Sequence, residues 1–568
     1  MTRFVQEIDE LLCSPGERFE MEVVDIRGRP TRVWKHAPRS LGDLLDRGTA
    51  LGGERDFLVL DGERLSHREH RDRALRLAGA LVDEFGVRPG DRVAIAMRNV
   101  PEWSIAFFAA AYAGAIAVAL NAFWNGAELA FGIGDATPKV LIADGERVER
   151  LLDHTDALER VALVGTHLDD RKTDAPLPDR IVAFEALLDR PARRPDVDVE
   201  PDDLATILYT SGTTSHPKGV LGTHRNICTN VLSMEFVTAR GMMRGGLEPP
   251  LPPMPPAVTL MPVPLFHATG LHSNLAAQGW FGGTLVLMRR WDPEAALDLI
   301  EQERVTGVSG VPTMAWELVN SPSARTRDLS SLRSLAGGGA AAPPELVRRI
   351  EAVLPSTGTG TGYGMTETSS LAASIGGVDY RERPTSVGVP VPVLDVRIVD
   401  EQGRDVEPGG VGEIWMAGVP VVVGYWKRPE ATEATFGGGW LKSGDLARID
   451  DEGFLYIVDR AKDMVIRGGE NISSLEVEAV LFDHPAVTEA AVFAVPHDTL
   501  GEEVGAVVRL ADGASATPDE LRAHVAERLA PFKVPAHVWL TDEPFPLGPT
   551  GKIQKRELKA AYTQPTAR

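Results

Sequence analysis

The chain has 568 residues and a formal net charge of −22, with 59 Lys+Arg against 81 Asp+Glu. At roughly 150 residues per domain, this length implies about three or four domain-sized units rather than one core, and the acidic sum argues against a general nucleic-acid or membrane-surface binder, which needs a net basic face. With 43% hydrophobic residues, 56 glycines and 41 prolines, the composition is that of a loop-rich globular protein.

The N-terminal stretch MTRFVQEIDELLC places Glu7, Asp9 and Glu10 where a signal peptide needs an apolar run. The two cysteines, Cys13 and Cys228, lie in no metal-ligand spacing, so a reducing compartment, the cytoplasm, is the expectation. Phe57–Leu60 reads as a short strand, and residues 66–85 as a helix capped by Ser66. Asp91–Met97 is the next strand, followed by a helix from Trp103. Ser104–Trp124 carries no charge but is rich in Ala and Gly, which predicts a buried helix and strand, not a membrane span. Val140–Ala143 and Val161–Val164 continue the alternation, which predicts parallel sheet covered by helices. The Pro-rich segment Leu247–Pro264 is expected to be a surface excursion, neither helix nor central strand. After Asp459 come a helix (Ser474–Asp483), two strands (Thr488–Val495 and Glu503–Leu510) and a helix (Pro518–Leu529), enough for a small α+β domain.

The strongest chemical signal is LYTSGTTSHPKGV. The strand Ala205–Leu208 runs into hydroxyls at Thr210, Ser211, Thr213, Thr214 and Ser215, with Gly212 among them and Lys218 beyond. Small residues let backbone N–H groups converge on an anion, hydroxyls add donors, and the lysine adds a point charge, as a polyphosphate requires. Pro217 before Lys218 and Gly219 after it exclude a Walker A loop. In GYGMTETS, glycines again allow close approach, and Glu367 is a hard oxygen ligand suited to Mg²⁺. In SGD, the short carboxylate of Asp445 suits vicinal ribose hydroxyls. Either motif alone reads equally well as an ordinary capped turn.

Taken together, YTSGTTSHPKGV, YGMTET, SGDLARIDDEGFLYIVDR, GGENIS and PTGKIQK resemble, in this order, the motifs of the adenylate-forming superfamily of acyl-CoA synthetases, peptide-synthetase adenylation domains and luciferases. The wording is most like bacterial fatty-acyl-CoA ligases. The resemblance implies an α/β fold with a large N-terminal domain over residues 1–459, built of mixed parallel sheets with helices and a β-subdomain. A hinge at 460–463 and a small mobile α+β lid over 464–568 would follow. It implies that Thr210, Ser211, Gly212, Thr213, Thr214 and Lys218 bind phosphate. Gly338, Gly339 and Ala340 would flank adenine, Tyr363 would stack on the purine, and Gly364 and Met365 would line the nucleotide. Thr366 would touch the α-phosphate, Glu367 would hold Mg²⁺, and Asp445 and Arg460 would grip the ribose. Lys462 would be the hinge, and Lys552 would reach the reacting carboxylate. Gly468, Gly469 and Glu470 would face CoA in a second state.

For the acyl pocket the resemblance points to His267, with the stretches 308–313 and 336–340; a packed structural histidine is the alternative. Two positions depart from the family pattern. Ser215 replaces a common glycine, and Ser474 replaces a common proline, which is expected to alter only a turn. The implied reaction joins a carboxylic acid to ATP as acyl-AMP, then to CoA. A medium- or long-chain fatty acid is the expected substrate, and an aryl or steroid-side-chain acid is the alternative. The chain ends at Arg568, shortly after Lys552, which favours free CoA over a fused carrier domain. Loading of a separate carrier protein stays open.

Overall fold

The helix Pro101–Tyr112 is apolar on every side, with Trp103, Phe107 and Phe108 fully buried. Such a helix belongs inside the protein. It lies between two sheets and shares one core with Phe57 and Leu285 of one and with Val93 and Ile95 of the other. The computed structural model describes residues 4–173, 175–178, 180–210, 217–249, 255–340, 342–548 and 551–563.

One sheet has eight strands. Leu204–Thr210, Ile116–Ala119, Arg92–Ala96, Val140–Asp144 and Ala162–Thr166 run parallel in that spatial order. Lys218–Thr223 and the short strand Gly424–Tyr425 add antiparallel at one edge. The other large sheet has nine strands, parallel from Gly358–Tyr363 through Ser334–Gly338, Gly307–Gly310, Val258–Met261 and Thr284–Leu287 to Asp56–Leu60. A four-stranded antiparallel sheet follows, in the order Leu394–Val399, Gly412–Gly418, Leu441–Ile449, Leu455–Arg460. The small domain has its own five-stranded sheet around Val487–His497 and Gly501–Leu510, and a separate core that includes Val465, Val477, Val492 and Val508.

The early elements form as the sequence predicts. Ser66 accepts from the Glu69 N–H and closes a capping box at the start of the helix His67–Asp83. Among the described residues, no helix is long and apolar enough to cross a membrane.

The Pro-rich segment requires a correction. Val258–Met261 is an interior strand of the nine-stranded sheet, paired on both sides and mostly buried. Pro256 and Pro262 bracket this run without entering it, so every ladder N–H survives. The expectation of a surface excursion averaged over a window in which prolines crowd only the first part.

Two helices in the first core approach so closely that one position admits only glycine. A Cβ on Gly48 would stand 1.4 Å from the Gly279 carbonyl oxygen. Gly48→Ala is therefore expected to destabilise the large domain by on the order of 3 kcal/mol in urea unfolding. Gly134→Ala is the control: it has nothing within 4 Å and is expected to hold or gain stability.

Candidate active site

The site is assembled where the ends of the sheets meet the small domain. Asp445 and Arg460 face each other as register partners on adjacent antiparallel strands. The Arg460 Nε lies 3.3 Å from Asp445 Oδ1. The Tyr363 hydroxyl donates to Asp445 Oδ2 at 2.7 Å, and the Asp445 N–H donates to Ser443 Oγ at 3.0 Å. Burial pushes the Asp445 carboxyl up, and Arg460 and the Tyr363 hydroxyl act against this. Tyr363, Asp445 and Arg460 are therefore joined by one hydrogen bond and one ion pair.

Glu367 sits in the single helical turn Thr366–Thr368 and is 7% exposed. The Thr368 hydroxyl caps this turn by accepting from the Met365 N–H at 3.0 Å. Gly364 is dictated by close approach, since a Cβ there would stand 1.5 Å from the Ser370 carbonyl oxygen. The Tyr425 hydroxyl donates to Glu367 Oε1 at 2.8 Å. Burial raises the Glu367 pKa, opposed by that hydrogen bond, by its own backbone N–H and then by the charge of Lys218. Lys218 itself lies 5.1 Å from the centroid of the Tyr425 ring.

The loop that carries most of the predicted phosphate ligands lies outside the described residues; Ser211, Gly212, Thr213, Thr214 and Ser215 fall there. Its two ends are visible as strand. Thr210 and Lys218 are register partners in an antiparallel hairpin, so the lysine is anchored by a ladder rather than carried on a free loop.

Lys552 arrives from the small domain. A Cβ on Gly339 would stand 3.2 Å from the Lys552 Cε and 3.3 Å from its Nζ, so the end of the lysine side chain lies beside Gly339, just past the strand Ser334–Gly338. Gly339 has φ +77°, a left-handed conformation, and exposed Ala340 follows it. The neighbouring Gly551 carbonyl accepts from the Thr313 hydroxyl at 3.1 Å. Burial lowers the Lys552 pKa to about 8, with the Arg460 charge adding to the effect and Asp445 opposing it. His267 is held neutral, its pKa lowered to about 4 by burial and by the charge of Lys552. Its Nδ1 is buried with no hydrogen-bond partner among the described residues. A cavity of about 230 Å³ adjoins this region, lined by Arg98, Phe123, Phe266, Arg289, Arg290 and Gly551, among others.

The structure thus brings together Lys218, Gly339, Tyr363, Thr366, Glu367, Asp445, Arg460 and Lys552, with His267 nearby. It does not bring Gly468, Gly469 and Glu470 there. They form the turn between Val465–Arg467 and Glu470–Ile472, where the Gly468 N–H donates to Leu500 within the small domain.

Sequence reasoning missed Tyr425 and the surroundings of Ser474, and it placed Thr313 only in the acyl-pocket stretch 308–313, not as the partner of Gly551. The Ser474 N–H donates to Asp459 Oδ2 at 2.5 Å, and its hydroxyl accepts from Lys555 at 3.0 Å. Lys555 also pairs with half-buried Glu478 at 2.5 Å. Ser474 is therefore a structural junction and not only a turn residue. Tyr425 lies far along the chain from both Lys218 and Glu367, so no local spacing marks it.

Residues 45–426 match the AMP-binding enzyme family, and residues 476–552 match the AMP-binding enzyme C-terminal domain. The chain belongs to this family, the adenylate-forming superfamily of acyl- and aryl-CoA ligases. It is 39% identical over 505 residues to a feruloyl-CoA synthase from Amycolatopsis sp, covering 88% of this chain and 94% of that one. It is 32% identical over 555 residues to a long-chain-fatty-acid–CoA ligase from Bacillus subtilis, covering 93% and 95%. In fold it is similar to the o-succinylbenzoate CoA synthetase of Bacillus subtilis solved with its acyl-adenylate intermediate, with a TM-score of 0.75, 30% identity, and 92% and 99% of the two chains covered.

The amine of Lys552 is expected to react with an acylating reagent half-maximally near pH 8, far below the ordinary lysine value of about 10.4. Arg460→Gln removes the second cause and is expected to move this midpoint upward, read by competitive labelling and peptide mass.

Proposed function

We propose that the protein activates a carboxylic acid with ATP to acyl-AMP and pyrophosphate, then transfers the acyl group to CoA. The observation that carries this reading is the lysine of one domain seated against Gly339 of the other, beside the Tyr363–Asp445–Arg460 group.

In the first step a carboxylate oxygen attacks the α-phosphorus, and the bond to the pyrophosphate oxygen breaks. Two anions must meet, so fixed positive charge has to stand where negative charge develops. Lys552 supplies it at the reacting carboxylate and Lys218 at the phosphates. Tyr363 packs on the purine, and Asp445 accepts from the ribose hydroxyls while Arg460 orients it. Glu367 suits Mg²⁺, since its carboxylate is a hard oxygen ligand, held at Oε1 by the Tyr425 hydroxyl. When bound, the ion would supply positive charge against the phosphates.

In the second step the CoA thiol attacks the acyl carbon and AMP leaves. The arginine-lined cavity beside Gly551 and Phe266 supports a phosphorylated co-substrate. Residues 460–463 serve as the hinge, with Lys462 at its centre. The turn there is short, the Asp463 and Met464 N–H groups both donating to the Arg460 carbonyl. Rotation about it would exchange Lys552 for the Gly468–Glu470 turn. The enzyme is read as cytoplasmic, supported by two cysteines, Cys13 and Cys228, that are both free.

For the acid, a medium- or long-chain fatty acid is supported by the likeness to fatty-acid ligases and by small residues at Ala336 and Gly337. An aromatic acid is the second reading, favoured by the higher identity to feruloyl-CoA synthase. A panel of both acid classes with ATP, Mg²⁺ and CoA, scored by thioester mass, decides between them. Absence of any thioester overturns the proposal.

Lys552→Ala is expected to lose adenylation by about three orders of magnitude while still converting preformed acyl-adenylate to thioester. Equal loss in both half-reactions would refute this division of labour. Glu367→Ala is expected to abolish Mg²⁺-dependent exchange of pyrophosphate into ATP, measured with labelled pyrophosphate.

A further inference from the structure

The segment Val422–Trp426 touches both halves of the phosphate region. On one side its backbone pairs with the strand that begins at Lys218. Val220 is the register partner of Tyr425, and Leu221 that of Gly424. The Trp426 N–H donates to the Gly219 carbonyl at 2.7 Å, and the Val423 N–H to Leu221 at 3.0 Å. On the other side, the Val422 N–H donates to the Glu367 carbonyl at 3.0 Å.

Tyr425 projects from the middle of this clip. Its N–H donates to the Thr432 hydroxyl at 2.9 Å, and its ring meets Phe436 edge-on at 5.5 Å. Trp426 is fixed in turn by its indole N–H, which donates to the Asp135 carbonyl at 3.0 Å. The Tyr425 side chain is 9% exposed and thus has one defined placement. Its hydroxyl is the one side-chain donor to Glu367 among the described residues. Its ring face carries the Lys218 ammonium.

We propose that Tyr425 is a positioning residue for nucleotide activation: its hydroxyl fixes the Glu367 carboxylate that would meet the cation of the bound triphosphate, and its ring seats Lys218. The proposal rests on the reading of Glu367 and Lys218 given above. A carboxylate that meets a cation from a fixed orientation loses no rotamer freedom on binding. The hydroxyl and the ring have separable effects, because one acts on the metal carboxylate and the other on the lysine.

The test is calorimetry of ATP binding, with and without Mg²⁺, in wild type, Tyr425→Phe and Tyr425→Leu. A hydrogen bond to a charged group is worth about tenfold or more in an equilibrium constant. Tyr425→Phe is expected to lower the gain in ATP affinity from Mg²⁺ by about that factor, and to leave metal-free ATP binding unchanged because the ring still faces Lys218. Tyr425→Leu is expected to weaken metal-free ATP binding as well. In pyrophosphate exchange, the Mg²⁺ concentration for half-maximal rate rises about tenfold in Tyr425→Phe, while thioester formation from preformed acyl-adenylate is unchanged.

A Tyr425→Phe protein with wild-type melting and an unaltered Mg²⁺ gain overturns the proposal. Equal weakening with and without Mg²⁺ also overturns it, since a structural role alone would do this. If wild type itself gains nothing from Mg²⁺, the metal role of Glu367 fails first, and the proposal with it.

Discussion

Two buried carboxylates, Glu367 and Asp445, lie at the proposed nucleotide site, and everything else there answers to them. Each resists ionisation because burial removes its water. Each is therefore met by a tyrosine hydroxyl and by cationic charge. Tyr425 and Tyr363 supply the hydroxyls. Lys218, Arg460 and Lys552 supply the charge from three distant stretches of chain. The net charge of −22 has little bearing on this balance, since screening confines the effect of remote exposed charges to about 8–10 Å at ordinary ionic strength. The local geometry decides it.

The elements legible in the sequence were those with local causes. The cap at Ser66, the all-apolar helix from Pro101 and the strand before Thr210 follow from neighbouring side chains. The motif residues were legible because glycines and hydroxyls cluster around them. What stayed hidden depends on pairings across long stretches of chain. Tyr425 reaches Glu367 only because its strand adds to the edge beside Lys218, and nothing within ten residues of Tyr425 announces that pairing. Val258–Met261 was obscured for the opposite reason, since a genuine local signal from nearby prolines was extended too far. Ser474 looked like a turn variant because its partners, Asp459 and Lys555, lie on either side of it in sequence and meet only in the fold.

The small domain is held to the large one by contacts of modest size. Trp316 meets Phe482 edge-on at 5.9 Å, and Arg348 pairs with Asp483 at 2.8 Å on the surface. Thr313 holds the Gly551 carbonyl, and Ser473 donates to the Val458 carbonyl at 2.7 Å. Within the small domain, by contrast, Lys555 is locked to Glu478 and Ser474. Lys552 therefore belongs mechanically to the small domain, through the short segment that joins it to Lys555. Its arrival at Gly339 reports where that whole domain stands. Inter-domain surfaces of this polar kind permit relative motion.

The lowered proton affinity of Lys552 has a thermodynamic consequence. An amine with a pKa near 8 is only partly charged in mildly alkaline solution. A nucleotide phosphate that settles beside it raises its affinity for a proton. Binding then draws protons from the buffer, and the heat of binding depends on the buffer's own ionisation enthalpy. Ligand affinity and proton uptake become one coupled equilibrium. In the proposed reaction, the same lysine would also tie nucleotide capture to alkalinity.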